Sequence, residues 1–569
     1  MTKDHFRGVP ATSRDDRERE FPSGKLFKNP CDSLMKWNLM EMLIEVTSTG
    51  GVRFGCSLAA YDLSEDLIFS GPKIGHNFRR RVRSPPASGD PMIEGIESGR
   101  QRVNQRAVEI ENDAFYREIA HGRSVHTMLL SHAPGYFKQR RESLMEKAPG
   151  SVFIFAANEE VLRNPDVHYP YRQESNFQYL SGFDEPESFL VLAPAGSQTV
   201  GQRHRMVLFV RRRDIEKEMW EGERYGTEGA KRVFGADEAY PIDEFDARLP
   251  ELLKGSERIY YRLGRHLPTD QRILTGLEAH RRSLGRSGKA LPPIYDPNEI
   301  IGELRLYKSE EEVGLLRKAC EITALAHRTV IQEVRPGMNE FEVEALVDYV
   351  FRKNGCQRVG YGSIVAGGKN ATCLHYRSNN EVLRDGDLLL VDAGGEYDYY
   401  TSDITRTFPV GKSFTEAQAR LYELVLSVQK SALAMTRPGV RLPQIHHHVC
   451  EALTEGLLGL GILKGGRDEI VKNFGFRRFY PHNTSHWLGM DVHDVGLYLK
   501  NGEPRVLEPG MCFTIEPGFY SQPSDTQLPE AYRSIGIRIE DDILVTPMGF
   551  ENLTQAAPKE ITEILALKS

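Results

Sequence analysis

The chain has 569 residues, 40% hydrophobic and 27% charged, enough for two or three domains that each bury a core. Its 73 Lys and Arg against 80 Asp and Glu, a formal net charge of -7, give no basic excess for nucleic acid. The longest apolar runs, such as SVFIFAA from Ser151, fall well short of the roughly 20 residues of a spanning helix, so no membrane partner is expected.

The N-terminus MTKDHFRGVPATSRDDRERE lacks an apolar h-region, and its acidic residues argue against a transit peptide; a cytoplasmic protein is expected. Residues 1–125 carry a basic run, RRRVRSPP from Arg79, a Pro/Ser/Gly-rich patch and weak periodicity, and read as a poorly ordered extension of unknown role. Seven scattered cysteines form no C-x-x-C pair, as in a reducing compartment. Sequons occur at Asn370, Asn483 and Asn552, but Asn483 adjoins His482, where a glycan would obstruct chemistry, so chance explains them better.

From about residue 126 the pattern becomes globular. YFKQRRESLMEKAPG predicts a helix ending at Pro149-Gly150, and SVFIFAA a buried strand. FQYLSGF and ESFLVLAP read as strands separated by a turn at Gly182, followed by RMVLFVRRR, and the alternation up to residue 300 predicts an α/β domain.

A second domain, 301–569, opens at the capping box formed by Ser309 and Glu312. RPGM at Arg335 and RPGV at Arg437 each separate two predicted helices, and each helix pair is followed by a run of strands. Two helices then strands, twice over, predicts halves related by approximate symmetry, with a site at their junction.

Polar residues that interrupt apolar strands carry the chemical signal. Asp392 ends DLLLVDAG, and a hairpin turning at Gly394-Gly395 would bring it to Asp403. Taken alone, either aspartate reads as a turn cap. Glu516 precedes a Pro-Gly stop in MCFTIEPG; Glu540, two residues from Arg538, reads alone as its salt-bridge partner. Burying all four carboxylates without cations would be costly. His482, His486 and His493 crowd PHNTSHWLGMDVHDVG, and His375 lies upstream in NATCLHYRSNN. His446, His447 and His448 are consecutive on an amphipathic helix and are assigned to a mostly solvated face.

The ordered set Asp392, Asp403, His486, Glu516 and Glu540, in VDAG, SDITRTF, SHWLGMDVHD, TIEPG and RIED, resembles the dinuclear metallopeptidases of the pita-bread fold, and most closely the Xaa-Pro aminopeptidase (aminopeptidase P) family. YPYRQESNFQYLSGFDEPES from Tyr169 resembles that family's N-terminal domain, so the resemblance spans roughly 126–569. It implies an α/β (α+β) chain with an N-terminal α/β domain at 126–300 and a pita-bread catalytic domain with a pseudo-twofold repeat at 301–569. It further implies two divalent metal ions, with Asp392 on one, His486 and Glu516 on the other, and Asp403 and Glu540 on both. Two such ions balance four carboxylates, and a thiolate-free set suits Mn²⁺ best, with Zn²⁺, Co²⁺ or Fe²⁺ as alternatives. The implied activity is removal of an N-terminal residue that precedes proline, by a metal-bridging hydroxide. Glu516 would be general base, His375, His482 and His493 would line the substrate site, and Arg538 would hold Glu540 in place. Peptides with proline at position two are the implied substrates, and a homo-oligomer, dimer or tetramer, the implied assembly. Xaa-Pro dipeptidase shares the fold and ligand types and is the alternative; methionine aminopeptidase and a metal-free pita-bread binding module fit less well.

Overall fold

The computed structural model describes residues 135–195 and 204–569; the extension expected at 1–125 lies outside the described residues. Helix α1 (Tyr136–Lys147) leads into β1 (Ser151–Ala156), as the sequence predicts. FQYLSGF, expected as a strand, lies mostly in helix α2 (Ser175–Ser181), and all seven residues of α2 are buried. An element covered on every side shows no periodicity, so an apolar run cannot distinguish strand from helix. The deciding features are local: Glu174 accepts a hydrogen bond from the Phe177 N–H, and Gly182 closes the helix at φ 68°.

Strands β2 (Phe189–Pro194), β3 (His204–Val210), β4 (Glu238–Pro241), β5 (Arg258–Tyr260) and β6 (Ile294–Tyr295) join β1 in a six-stranded mixed sheet ordered β4-β3-β2-β1-β5-β6. Alternation along β1 assigns its two faces. Val152 and Ile154 pack with Phe245, Leu249 and Ile273 of the helices Phe245–Leu252 and Leu267–Ser283. Phe153 and Phe155 belong to a second cluster that continues into Leu316, Tyr400 and Leu488, so this face of the sheet is buried against the C-terminal half of the chain.

Helix α3 (Asn298–Leu306) leads to α4 (Glu310–Glu333), which begins at the predicted capping box: the Glu312 N–H donates to Ser309 Oγ and the Ser309 N–H to Glu312 Oε2. Helix α5 (Glu340–Lys353) completes the first pair, followed by the antiparallel sheet β7 (Ile364–Gly367), β8 (Leu388–Ala393) and β9 (Ile404–Pro409). Helices α6 (Glu416–Met435) and α7 (Leu442–Gly459) form the second pair. The strands β10 (Cys512–Ile515), β11 (Gly518–Ser521), β12 (Ile535–Arg538), β13 (Asp541–Thr546) and β14 (Gly549–Asn552) follow, paired as β10-β13-β14 and β11-β12.

The repeat extends to atomic detail. In the first RPG turn Gly337 has φ 94° and its N–H bonds to Leu383 O at 2.9 Å; in the second Gly439 has φ 90° and its N–H bonds to Leu507 O at 2.9 Å. Each of those leucines stands five residues ahead of the strand that carries an acidic site residue, Asp392 on β8 and Glu516 just after β10. The hairpin expected to turn at Gly394-Gly395 turns instead at Asp398 and Tyr399, with φ 50° and 70°, between the short strands Gly395–Tyr397 and Tyr400–Thr401. The five described cysteines are all free thiols, and among the described residues no helix is long and apolar enough to cross a membrane.

Because L side chains are strained at these angles, Gly337→Ala and Gly439→Ala should each cost about 1–2 kcal/mol of stability. Urea unfolding midpoints check this, and an unchanged midpoint for both would show that the RPG turns do not depend on glycine.

Candidate metal centre

Four carboxylates and one imidazole meet where the two halves join. Asp392 lies on β8, the central strand of its sheet; Asp403 stands one residue before β9, Glu516 one residue after β10 and Glu540 one residue before β13. His486 comes from the loop that runs antiparallel to β10, where the Thr514 N–H donates to His486 O and the Glu516 N–H to Thr484 O. The His486 Nδ1 lies 3.1 Å from Trp487 O, which places the ring proton there and turns Nε2 towards Asp403 Oδ2 at 3.3 Å and Glu516 Oε1 at 3.7 Å.

The surrounding groups hold the carboxylates. Arg538 Nη2 donates to Asp392 Oδ2 at 2.5 Å. Arg538 supports Glu540 at one remove. The strand breaks between β12 and β13, and the Thr405 hydroxyl mediates, accepting from Arg538 Nε at 3.0 Å and donating to Glu540 Oε2 at 2.6 Å. The Tyr361 hydroxyl lies 2.6 Å from Asp392 Oδ1 and 2.5 Å from Asp403 Oδ1. Arg538 Nη1 donates to the Tyr520 hydroxyl, itself 2.9 Å from His482 Nε2.

Electrostatics show what this set lacks. Burial pushes Glu516 up to about 7, against His486 and Arg538 and aided by Asp403 and Asp392. Glu540 is raised well above the usual carboxylate range by burial and by Asp403, Glu516 and Asp392. Burial opposes protonation of His486, yet Asp403 and Glu516 outweigh it and raise the ring to about 9. Burial and Arg538 push His482 down to about 3, and burial and His486 lower His493. Against the four acids Arg538 is a fixed cation, and the site draws further positive charge as protons. Asp403, His486 and Glu540 each offer an atom within 4.8 Å of the others. A hard, oxygen-rich donor set with one imidazole and a deficit of positive charge fits divalent cations.

A cavity of about 1010 Å³ is lined by every site residue expected from the sequence: the five candidate ligands Asp392, Asp403, His486, Glu516 and Glu540, with His375, His482, His493 and Arg538 on its walls. Sequence reasoning missed Tyr361, Thr405 and Tyr520. Tyr361 sits between two glycines with no periodic signal, 31 residues from Asp392. The histidine triplet on α7 requires correction: only His447 is exposed, while His448 bonds Ser431 and His446 lines the cavity with its Nδ1 2.8 Å from Thr484 Oγ1. Successive helical residues are about 100° apart, so a triplet at the edge of a buried face must divide between core and solvent.

Residues 314–547 match the model of metallopeptidase family M24, and residues 137–260 that of the aminopeptidase P N-terminal domain. The chain is 43% identical over 432 residues to the Xaa-Pro aminopeptidase of Escherichia coli K12, covering 76% of this chain and 97% of that protein. The chain belongs to metallopeptidase family M24. Human Xaa-Pro aminopeptidase 3 is 35% identical over 433 residues, covering 75% of this chain and 82% of that one. Among solved structures, Pseudomonas aeruginosa aminopeptidase PepP superposes with a TM-score of 0.73 at 44% identity, covering 76% of this chain and 97% of that one. A zinc-substituted E. coli aminopeptidase P in complex with product gives 0.72 at 43% identity, covering 76% and 97%. The fold expected from the sequence, an α/β domain ahead of a pita-bread domain with an internal repeat, is thus the architecture observed.

A cation held by Glu516 and His486 would displace their protons, and their raised values set the pH window for that test. In the metal-free protein the raised His486 contributes stability that is full below 6.5 and lost as pH rises through about 9. The raised Glu516 loses stability between its ordinary 4.5 and about 7. Thermal unfolding should therefore show a larger gain in Tm from added Mn²⁺ at pH 8.5 than at pH 6. An equal gain at both would mean that these groups do not receive the cation.

Proposed function

We propose that this chain is an Xaa-Pro aminopeptidase, removing the N-terminal residue of peptides whose second residue is proline. The observation that carries the reading is the largely buried set of four carboxylates and one imidazole lining one cavity, in a chain related over most of its length to proteins named for this activity. Asp392, Asp403, His486, Glu516 and Glu540 would hold two divalent ions, most suitably Mn²⁺, divided as the family resemblance implies. Such ions, when bound, lower the pKa of water towards about 7 and polarise the scissile carbonyl.

The chain's own groups supply the rest. Hydrolysis adds water oxygen to the carbonyl carbon, breaks the C–N bond and returns a proton to the prolyl nitrogen. Glu516 is the base that receives the water proton and the acid that delivers it; transfer of this kind contributes about 10²–10⁴ in rate. Proline has no N–H and a fixed φ, so its tertiary amide must be recognised by shape. His375 and His493, exposed on the cavity wall, face the peptide and the developing oxyanion. His482, kept neutral by burial and accepting from the Tyr520 hydroxyl, orders that wall. Residues 126–300 serve as the N-terminal domain and 301–569 as the catalytic one, in a cytoplasmic homo-oligomer, dimer or tetramer.

A purified sample should cleave an Xaa-Pro-Yaa tripeptide, lose that activity with chelator and regain it with Mn²⁺. Cleavage confined to an Xaa-Pro dipeptide would establish the dipeptidase alternative. Glu540→Gln should lower turnover by more than about 100-fold with unchanged circular dichroism; near-wild-type turnover would remove Glu540 from the ligand set.

A further inference from the structure

His493 has no hydrogen bond to its ring among the described residues; its neighbour is the His486 ring, 4.4 Å away between centroids and inclined at 73°. Its position is therefore set by the backbone of the loop from His486 to Gly496. That loop closes on the next residue, Asp494. The Asp494 N–H donates to Trp487 O at 2.9 Å, and a Cβ on Gly489 would lie 2.1 Å from Asp494 Oδ2.

Asp494 is held by two cations from outside the loop. Lys308 Nζ donates to Oδ2 at 3.1 Å, and Arg305 Nη2 bonds Oδ1; all three side chains are at most 2% exposed. The Arg305 fork also reaches Asp491 Oδ2 and Asn176 Oδ1, each at 2.8 Å. From α2 and the residues before it, Ser175 Oγ donates to Asp491 Oδ1 at 2.7 Å and Arg172 Nη2 to Met490 O at 2.8 Å. Arg305, Lys308 and Arg172 thus face Asp491, Asp494 and Glu396 in one ion-pair cluster, with one side anchored in the N-terminal sheet domain.

We propose that Arg305 is a positioning residue for His493, and that Arg172, Ser175 and Asn176 extend this clamp so that docking of the N-terminal domain sets the catalytic geometry. Its kinetic arm rests on the proposed peptidase activity. Arg305→Lys keeps the charge but cannot span Asn176, Asp491 and Asp494 with one planar fork. It should lower kcat by about 10-fold or more with KM within about 2-fold, since a misplaced group far from the bond broken loses transition-state contacts. In a His493→Ala background the same change should cost less than about 2-fold, because the group it acts through is gone. In protein labelled with ¹³C-histidine, Arg305→Lys should shift or broaden the His493 signal and leave that of His375 in place, whether or not the wild type proves to be a peptidase. Equal losses in both backgrounds, or an unmoved His493 signal, would overturn the proposal. Should Arg305→Lys not fold, Ser175→Ala and Asn176→Ala, which remove one partner each, carry the same comparisons.

Discussion

The constraint on which the structure turns is the mutual repulsion of Asp392, Asp403, Glu516 and Glu540 at the junction of the two halves. Four carboxylates this close cannot all ionise in a low-dielectric interior without cations. The protein's own groups go only part of the way: Arg538 pairs with Asp392, Tyr361 lies against two of the acids, and Thr405 donates to Glu540. The remaining deficit appears as raised values at Glu516, Glu540 and His486. A hydrophobic junction would be more stable without ions, so such an arrangement makes physical sense as one built around cations.

Duplication explains how the acids come together. Each half turns through an RPG loop, sends a leucine back to that loop, and five residues later begins a strand that delivers an acidic residue to the junction. Neither half holds the whole acidic cluster alone; Asp392 and Asp403 come from one, His486, Glu516 and Glu540 from the other. Misplacement of one half would expose unpaired buried carboxylates, so assembly of the halves and formation of the site are one process. The N-terminal domain adds a further tie, since its α2 region reaches the histidine loop through Asp491 and Arg305.

Legibility in the sequence follows how local each signal is. The capping box at Ser309 and the RPG turns depend on a few adjacent residues, and both were readable. The metal-ligand candidates were visible because acids that end apolar runs break a pattern. FQYLSGF misled because α2 is buried all round, and His446 because a helix edge divides a triplet. Tyr361, Thr405 and the Arg305–Asp494 pair, 189 residues apart, act only through tertiary contacts that no spacing records.

The acidic run Glu540-Asp541-Asp542 shows why charge must be read in place. Glu540 turns to the cavity. Asp541 turns away and is fully satisfied: Arg406 Nη2 at 2.6 Å, Gln429 Nε2 at 2.7 Å and Asn552 Nδ2 at 2.9 Å all donate to it, and despite burial Arg406 and Lys559 hold it well below the usual range. Asp542 accepts from the Asp403 N–H and Cys320 Sγ through one oxygen while the other has no hydrogen-bond partner among the described residues, and burial and Asp403 raise it well above that range. Three consecutive acids therefore have three functions: ligand candidate, anchor for a buried arginine, and acceptor fixing the backbone of a second candidate. Because Arg406 Nη1 also donates to Glu540 O at 2.6 Å, the anchor beneath the site fixes the main chain of the group above it. The Glu540 carboxylate is thus aimed in part by a neighbour that touches only its main chain.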